Sequence, residues 1–384
     1  MKFRVVLLTE IVAPYRIPVF NALAQHDEID LHVIFLAETD PVLRKWPVYK
    51  DEIRFSYQVL PSWRRRIRGH NFVVNRGVAS ALHEHAPDAL VCGGYNYVAA
   101  WQALNWARRN DIPFFLWAES TAKDLRSGSR FLETLKAEFM RECAGFVVPG
   151  SSSFEYLRNY GLAADRIFTA PNAVDIDWFT ARAGEARRRA SLLREELNLP
   201  DRYFLFAGRL MPEKGVFDLL VAYKSLTPEL RSTVGLILVG DGESEADLRR
   251  SAREITPGTI VLPGFTQREE LASYYALADA LVFPSRSDPW GLVVNEAMAC
   301  GAPIIASSAA GCVSDLVEDG WNGFVVEPGD VHALSRAMNA LANDHEVRQV
   351  MRQRSNERIQ NYSPEACASG IANAILSSAV LAHD

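Results

Sequence analysis

The chain has 384 residues, of which 48% are hydrophobic and 23% charged, with a formal net charge of −6. That length makes a single core improbable and predicts two domains of about 190 residues, while the composition is that of an ordinary soluble protein. The acidic balance, with no recognition module in the sequence, argues against a nucleic-acid partner.

In chain order, MKFRVVLLTE turns charged before an apolar leader core develops, so no signal peptide is expected. The same residues give a first strand, Phe3–Thr9. The loop after it, Glu10 to Arg16, lacks the GxGxxG a dinucleotide oxidoreductase would need there. A helix over Arg16–Gln25 and strands over Leu31–Phe35 and Phe55–Leu60 follow. Residues 61–70, PSWRRRIRGH, set Arg64, Arg65, Arg66 and Arg68 around Trp63 and Ile67. Cations beside an interfacial aromatic suit anionic lipid headgroups or a lipid diphosphate, at about 1 kcal/mol per basic residue. A solvated loop is the plain alternative.

Helices over Val74–His85, Val98–Asn110, Arg130–Cys143 and Ser153–Tyr160 alternate with strands over Ala89–Cys92, Phe114–Trp117, Phe146–Pro149 and Ile167–Ala170. The charged, Ala/Arg-rich stretch from Asn172 to Pro200 is expected as a linker. Strands resume at Tyr203–Ala207, Gly235–Val239, Ile260–Leu262, Ala280–Phe283 and Pro303–Ala306. Such alternation with short loops predicts an α/β protein of parallel, doubly wound sheets. The tail reads as two helices broken near Tyr362-Ser363-Pro364. The expected domains are therefore 1–171, a linker 172–200, 201–360, and a terminal helix 361–384.

Residues 1–180 carry 21 Lys+Arg against 20 Asp+Glu, and the remainder 20 against 27. The first half is thus close to neutral and the excess of acids falls in the second. Five scattered cysteines without CxxC spacing argue against a disulfide framework or a zinc site and fit a reducing cytoplasm. The uncharged stretches Ala89–Ala107 and Ala366–Ala382 are too interrupted or too polar to span a bilayer. Any membrane contact is expected to be peripheral.

Two constellations in the second half carry chemistry. In YFLFAGRLMPEKG (203–215) a buried strand ends at Gly208, and Arg209 and Lys214 flank a short turn. Arg offers a planar fork for phosphate oxygens and Lys a compact charge. In VFPSRSDPWGLVVNEAMAC (282–300) a strand runs into a loop bearing Asp288. Gly291 then opens a helix containing Glu296. A helix N-terminus suits a phosphate, and eight helical positions rise about 12 Å, near the length of a sugar–diphosphate–ribose unit. The helix is apolar nearly all round, so a carboxylate inside it needs a partner. Both motifs follow strand carboxyl ends, where open α/β sheets bind ligands. Ordinary surface roles for each charge are the alternative.

GRLMPEKG, GDGE (240–243), LPGF (262–265), DPWGLVVNEAMACGAPII and PNAVD (171–175) resemble the retaining GT-B glycosyltransferases of group 1, family 4. The resemblance implies a GT-B fold: two Rossmann-like domains facing a central cleft, the last helix crossing back to the N-terminal domain. It implies a nucleotide-sugar donor on the C-terminal domain and an acceptor on the N-terminal one. Arg209 and Lys214 match the diphosphate clamp, assisted by Gly208 and by backbone around Trp290, Gly291 and Leu292. Glu296 matches the ribose-binding acid, and Gly264 and Phe265 the base-binding loop. Asp288 matches the first acid of a Glu-x7-Glu pattern, shortened by one methylene. The family's glycine-rich first loop is absent here, with Tyr15 and Arg16 in its place. Gly94 and Tyr95 are expected to line the crevice, and Glu119 stands where relatives carry a His. With Trp63 and Arg65, these are the acceptor and cleft candidates.

The expected function is transfer of a hexose, with retention, from a nucleotide sugar (a UDP-sugar) to a glycan or polyprenyl-diphosphate-linked acceptor in polysaccharide synthesis. No metal or other cofactor is expected. The expected location is the cytoplasm, peripheral to the inner face of the plasma membrane. The family implies front-face attack without an enzyme nucleophile. Alternatives are a GDP-mannose-dependent mannosyltransferase, a UDP-sugar epimerase of the same fold, and a non-catalytic sugar-nucleotide-binding module.

Overall fold

The computed structural model describes residues 2–39, 45–67, 70–122 and 130–381, with backbone alone at 64–67, 70–72, 130–132 and 378–381. These residues form two compact units. One is built from the chain up to Ser120, the stretch ending at Val174 and the terminal helix, and the other from Asp175–Tyr362 together with Thr121 and Ala122.

The first unit carries strands β1 (Phe3–Ile11), β2 (Ile29–Ala37), β3 (Ser56–Val59), β4 (Ser62–Ile67), β5 (His70–Asn75), β6 (Ala89–Cys92), β7 (Phe114–Trp117), β8 (Gly145–Val148) and β9 (Ile167–Thr169). Seven form one sheet in the order β3-β2-β1-β6-β7-β8-β9, every neighbouring pair parallel. Helices cover both faces, so the central strands are continuous apolar runs: β6, β7 and β8 are buried at every position. Chain direction across the sheet reverses at β1, which lies between β2 and β6.

The short pair β4 and β5 forms a separate antiparallel hairpin. Here the sequence reading is corrected at the start of one helix. Residues 61–70, for which a solvated loop was the alternative to a lipid-facing basic patch, hold the strand Ser62–Ile67. The helix expected from Val74 begins at Val78, because Val74 and Asn75 pair with Trp63 and Ser62. Three consecutive arginines, Arg64 to Arg66, conceal the two-residue period of the strand.

A second correction concerns residues 172–200. Instead of a plain linker, they hold helices Ile176–Arg188 and Ala190–Glu196, the first capped by Asp175 accepting from the Trp178 amide at 3.0 Å. Ile176, Phe179, Ala183 and Ala186 are buried on one face at helical spacing. The terminal helix Pro364–Leu381 belongs to the first unit. Its Cys367, Ile371, Ala372 and Ile375 are buried in the core with Leu7, Phe20 and Val33.

The second unit carries β10 (Tyr203–Ala207), β11 (Gly235–Val239), β12 (Ile260–Gly264), β13 (Ala280–Phe283), β14 (Ile304–Ser307) and β15 (Gly323–Val326). They form one sheet in the order β12-β11-β10-β13-β14-β15, parallel throughout. β10 is flanked by β11 on one side and β13 on the other. The gap between the carboxyl ends of β10 and β13 is therefore the sheet's switch point. All five cysteines are buried as free thiols.

Candidate active site

The switch point of the second sheet collects the loops after β10 and β13, the two that bear the charged motifs. Gly215 makes their approach possible. Its φ is +68°, and a Cβ there would stand 2.1 Å from the Pro284 carbonyl oxygen. The loops are further joined by the Arg286 amide donating to the Glu213 carbonyl at 2.8 Å and by Ser285 Oγ donating to the same carbonyl at 3.3 Å.

Across this junction Lys214 Nζ lies 2.6 Å from Asp288 Oδ2, both side chains mostly buried. The other carboxylate oxygen of Asp288 accepts from the Trp290 amide at 3.1 Å. The sequence reading assigned these two residues to different parts of a ligand and did not anticipate the pairing. Arg209, by contrast, is exposed and makes no ion pair among the described residues. Gly208 precedes it at the end of β10 with φ +148°.

Gly291, at φ +100°, caps the helix Leu292–Ala299, with Leu292 as its first residue. Of the amides in the first turn of this helix, that of Val294 donates to the Gly291 carbonyl at 2.9 Å, and those before it lie too early in the helix for an intrahelical acceptor. Trp290 is buried and donates from Nε1 to Asn295 Oδ1 at 2.9 Å, which fixes the loop against the helix. Glu296 lies on the same helix, partly buried. Tyr275, on the helix Arg268–Leu277, donates its hydroxyl to Glu296 Oε2 at 2.7 Å. Burial raises the Glu296 pKa to about 7, with the tyrosine bond pulling the other way. Tyr275 and Asn295 were missed in the sequence. Asn295 stands out as a second polar residue in an apolar helix, but nothing in the spacing marks Tyr275. Gly264 ends β12, and its carbonyl accepts from the Gly240 amide at 2.8 Å. Phe265 after it is 39% exposed.

This arrangement offers an anion a free guanidinium, a poised ammonium and a helix N-terminus, with carboxylates on either side for hydroxyl groups. Among the described residues no cluster of three His, Cys, Asp or Glu side chains has the grouping of a metal site.

The switch point of the first sheet also carries a polar cluster. Arg16 is ion-paired with Glu119, donates to Asn172 Oδ1 at 3.3 Å and lies 3.9 Å from the centre of the Trp117 ring. Burial works against its charge, but Glu119, Tyr15 and Cys367 hold its pKa above the usual value. The structure thus joins Arg16 and Glu119, which the sequence reading treated separately. Tyr15 packs edge-on to Trp46 at 6.4 Å. Gly94 follows β6 with φ +121°. Tyr95 packs on the first unit's core, 6.1 Å from Phe139 and 5.6 Å from Lys136 Nζ. Trp63 is 58% exposed on the hairpin, opposite the exposed Val74. The side chain of Arg65 and the whole of Arg68 lie outside the described residues. No helix among the described residues is long and apolar enough to cross a membrane.

Two parallel, doubly wound sheets, each with a polar cluster at its switch point, define a protein of two Rossmann-like domains, the GT-B class. The solved structure of Anabaena HepE in complex with UDP and glucose shares this fold. Its TM-score is 0.76 at 19% identity, with 98% of this chain and 100% of that chain covered. The family model for glycosyl transferases group 1 matches residues 190–358, and that for glycosyltransferase family 4 matches residues 20–178. The O-antigen chain mannosyltransferase B of Escherichia coli is 31% identical over 272 residues, 69% of this chain and 68% of that protein. The sulfoquinovosyl transferase of Arabidopsis thaliana is 31% identical over 220 residues, 57% of this chain and 41% of that protein. The chain belongs to the group 1, family 4 glycosyltransferases. Apart from the O-antigen chain mannosyltransferase B, it spans between a quarter and a half of the length of the curated relatives it matches.

Proposed function

We propose that this protein transfers a hexose, with retention of anomeric configuration, from a nucleoside diphosphate sugar to a growing glycan, one carried on a polyprenyl diphosphate. The observation that carries the reading is the junction at β10 and β13. Lys214 is held by Asp288 beside the N-terminus of the Leu292–Ala299 helix, and Arg209 makes no ion pair among the described residues. In this reading Arg209 and Lys214 take up the charge that develops on the departing diphosphate. Asp288 accepts from a hydroxyl of the transferred sugar, Glu296 from the ribose, and Phe265 lies against the base. The bond from the anomeric carbon to the leaving phosphate oxygen breaks while the acceptor oxygen bonds to the same face. The acceptor proton passes to a donor phosphate oxygen. With cationic groups already in place, no metal is called for.

The complex of HepE with UDP supports uridine as the base. The likeness to the O-antigen chain mannosyltransferase favours a second reading, mannosyl transfer from GDP-mannose. Thermal unfolding with a panel of nucleotide sugars separates them. Ligand at 100 times its dissociation constant stabilises the fold by about 2.7 kcal/mol. One nucleoside diphosphate is expected to stabilise the wild-type chain by more than it stabilises Arg209→Ala. Equal stabilisation of both chains, or none by any nucleotide, overturns the assignment. Turnover abolished by EDTA overturns metal independence.

A further inference from the structure

The amino-terminal edge of the second sheet, opposite the candidate active site, holds a cavity of about 360 Å³. Its wall carries Arg187, Arg194, Arg202, Arg348 and Arg352, drawn from three helices and the segment leading into β10. Part of this cluster is structural. Arg187 donates to the Cys300 carbonyl, Arg352 to those of Gly301 and Ala278, and Arg348 to those of Leu341 and Ala342. These are carbonyls at or just past helix carboxyl ends, which lack partners of their own.

A carbonyl takes up a hydrogen bond but no net charge. Asp279 pairs with Arg202 at 2.7 Å and stands 4.0 Å from Arg348, and Asp201 is the other acid on the wall. Five arginines against two aspartates leave three positive charges facing one cavity. Arg194 Nε is buried without a hydrogen-bond partner among the described residues. The crowding is felt: burial, then the charge of Arg187, brings the Arg352 pKa down to about 10, and burial lowers Arg187 and Arg348 as well. Each guanidinium has five N–H donors, so donors remain after the carbonyls are served. The volume falls within the usual range for a small-molecule site.

We propose that this cavity is a second anion site, distinct from the sugar-nucleotide site, that binds a pyrophosphoryl group. Planar guanidinium forks matched to phosphate oxygens are the recognition chemistry. The group can be free or carried on a nucleoside, and the choice of probe distinguishes the two.

Titration calorimetry of the full chain with inorganic pyrophosphate, at fixed ionic strength, tests this. The Arg209→Ala chain, impaired at the candidate active site, is expected to bind pyrophosphate, and Arg194→Gln in that background to bind it roughly tenfold more weakly. Arg194→Lys, which keeps the charge and loses the fork, should fall between them and carries the test if the Gln variant does not fold. UDP bound by Arg209→Ala as tightly as pyrophosphate, and weakened by Arg194→Gln, marks the nucleoside-borne form. Absence of pyrophosphate binding to Arg209→Ala up to about 10 mM, or equal binding with and without Arg194→Gln, overturns the proposal. Failure of the active-site reading is seen separately, as nucleotide-sugar binding unaffected by Arg209→Ala.

Discussion

Asp288 holds two donors at once, the Lys214 ammonium and the Trp290 amide. Asp288→Asn keeps a carbonyl for the amide but leaves the lysine without a counter-charge. Transfer is expected to fall by about 10²-fold or more, read as kcat at saturating donor, while near-normal turnover would remove Asp288 from the chemistry. Glu296 gives a pH signature. Its carboxyl ionises near 4.5 when unfolded and about 7 in the fold. Between those values the native chain binds more protons than the unfolded one, so stability declines as pH rises from 4.5 to about 7 and levels above it. Glu296→Gln retains an acceptor for Tyr275 and should flatten that decline in urea midpoints at pH 5 and 8. Identical slopes in both chains would count against it. The residue types at these positions were legible in the sequence because they sit in short motifs at strand ends. The Lys214–Asp288 and Arg16–Glu119 pairings were not, since each joins loops 74 and 103 residues apart.

At the scale of elements, two close approaches set the geometry. Gly215 brings the loop after β10 against the loop after β13. Gly215→Ala forces a Cβ into the Pro284 carbonyl at a positive φ, and should cost more than about 1 kcal/mol and weaken donor binding together with stability. Gly370 does the same work in the terminal helix, where a Cβ would lie 2.3 Å from the Thr169 carbonyl oxygen. Gly370→Val is expected to lower the melting temperature without changing donor affinity, and unaltered melting would show that the helix can shift outward. Strands β1, β6, β7, β10 and β13 were legible as apolar runs between turn residues. The hairpin β4–β5 was not, because its arginines hide the alternation that pairs Trp63 with Val74.

For the molecule as a whole, the chain is discontinuous in space: its last helix completes the unit made by most of its first 174 residues. Removing residues 363–384 uncovers Leu7, Phe20 and Val33, which share a core with Cys367 and Ile371. The shortened chain should lose protection of β1 and β2 in hydrogen exchange while β10 and β13 keep theirs. Unchanged protection in both sheets would show that the terminal helix is dispensable.

The sequence by itself determined the alternation of strands and helices, the two-domain α/β class and the positions of the charged motifs, because apolar periodicity and turn residues act over a few neighbours. Tertiary structure alone decided which strands adjoin. The order β11-β10-β13 places Arg209, Lys214 and Asp288 at one switch point, and places Arg187, Arg202 and Arg352 at the opposite edge. It also decided that Tyr275 meets Glu296 and that residues 176–196 fold as helices of the second unit. Each of these depends on which surfaces are buried together, and that is a property of packing across distant segments rather than of any local run of residues.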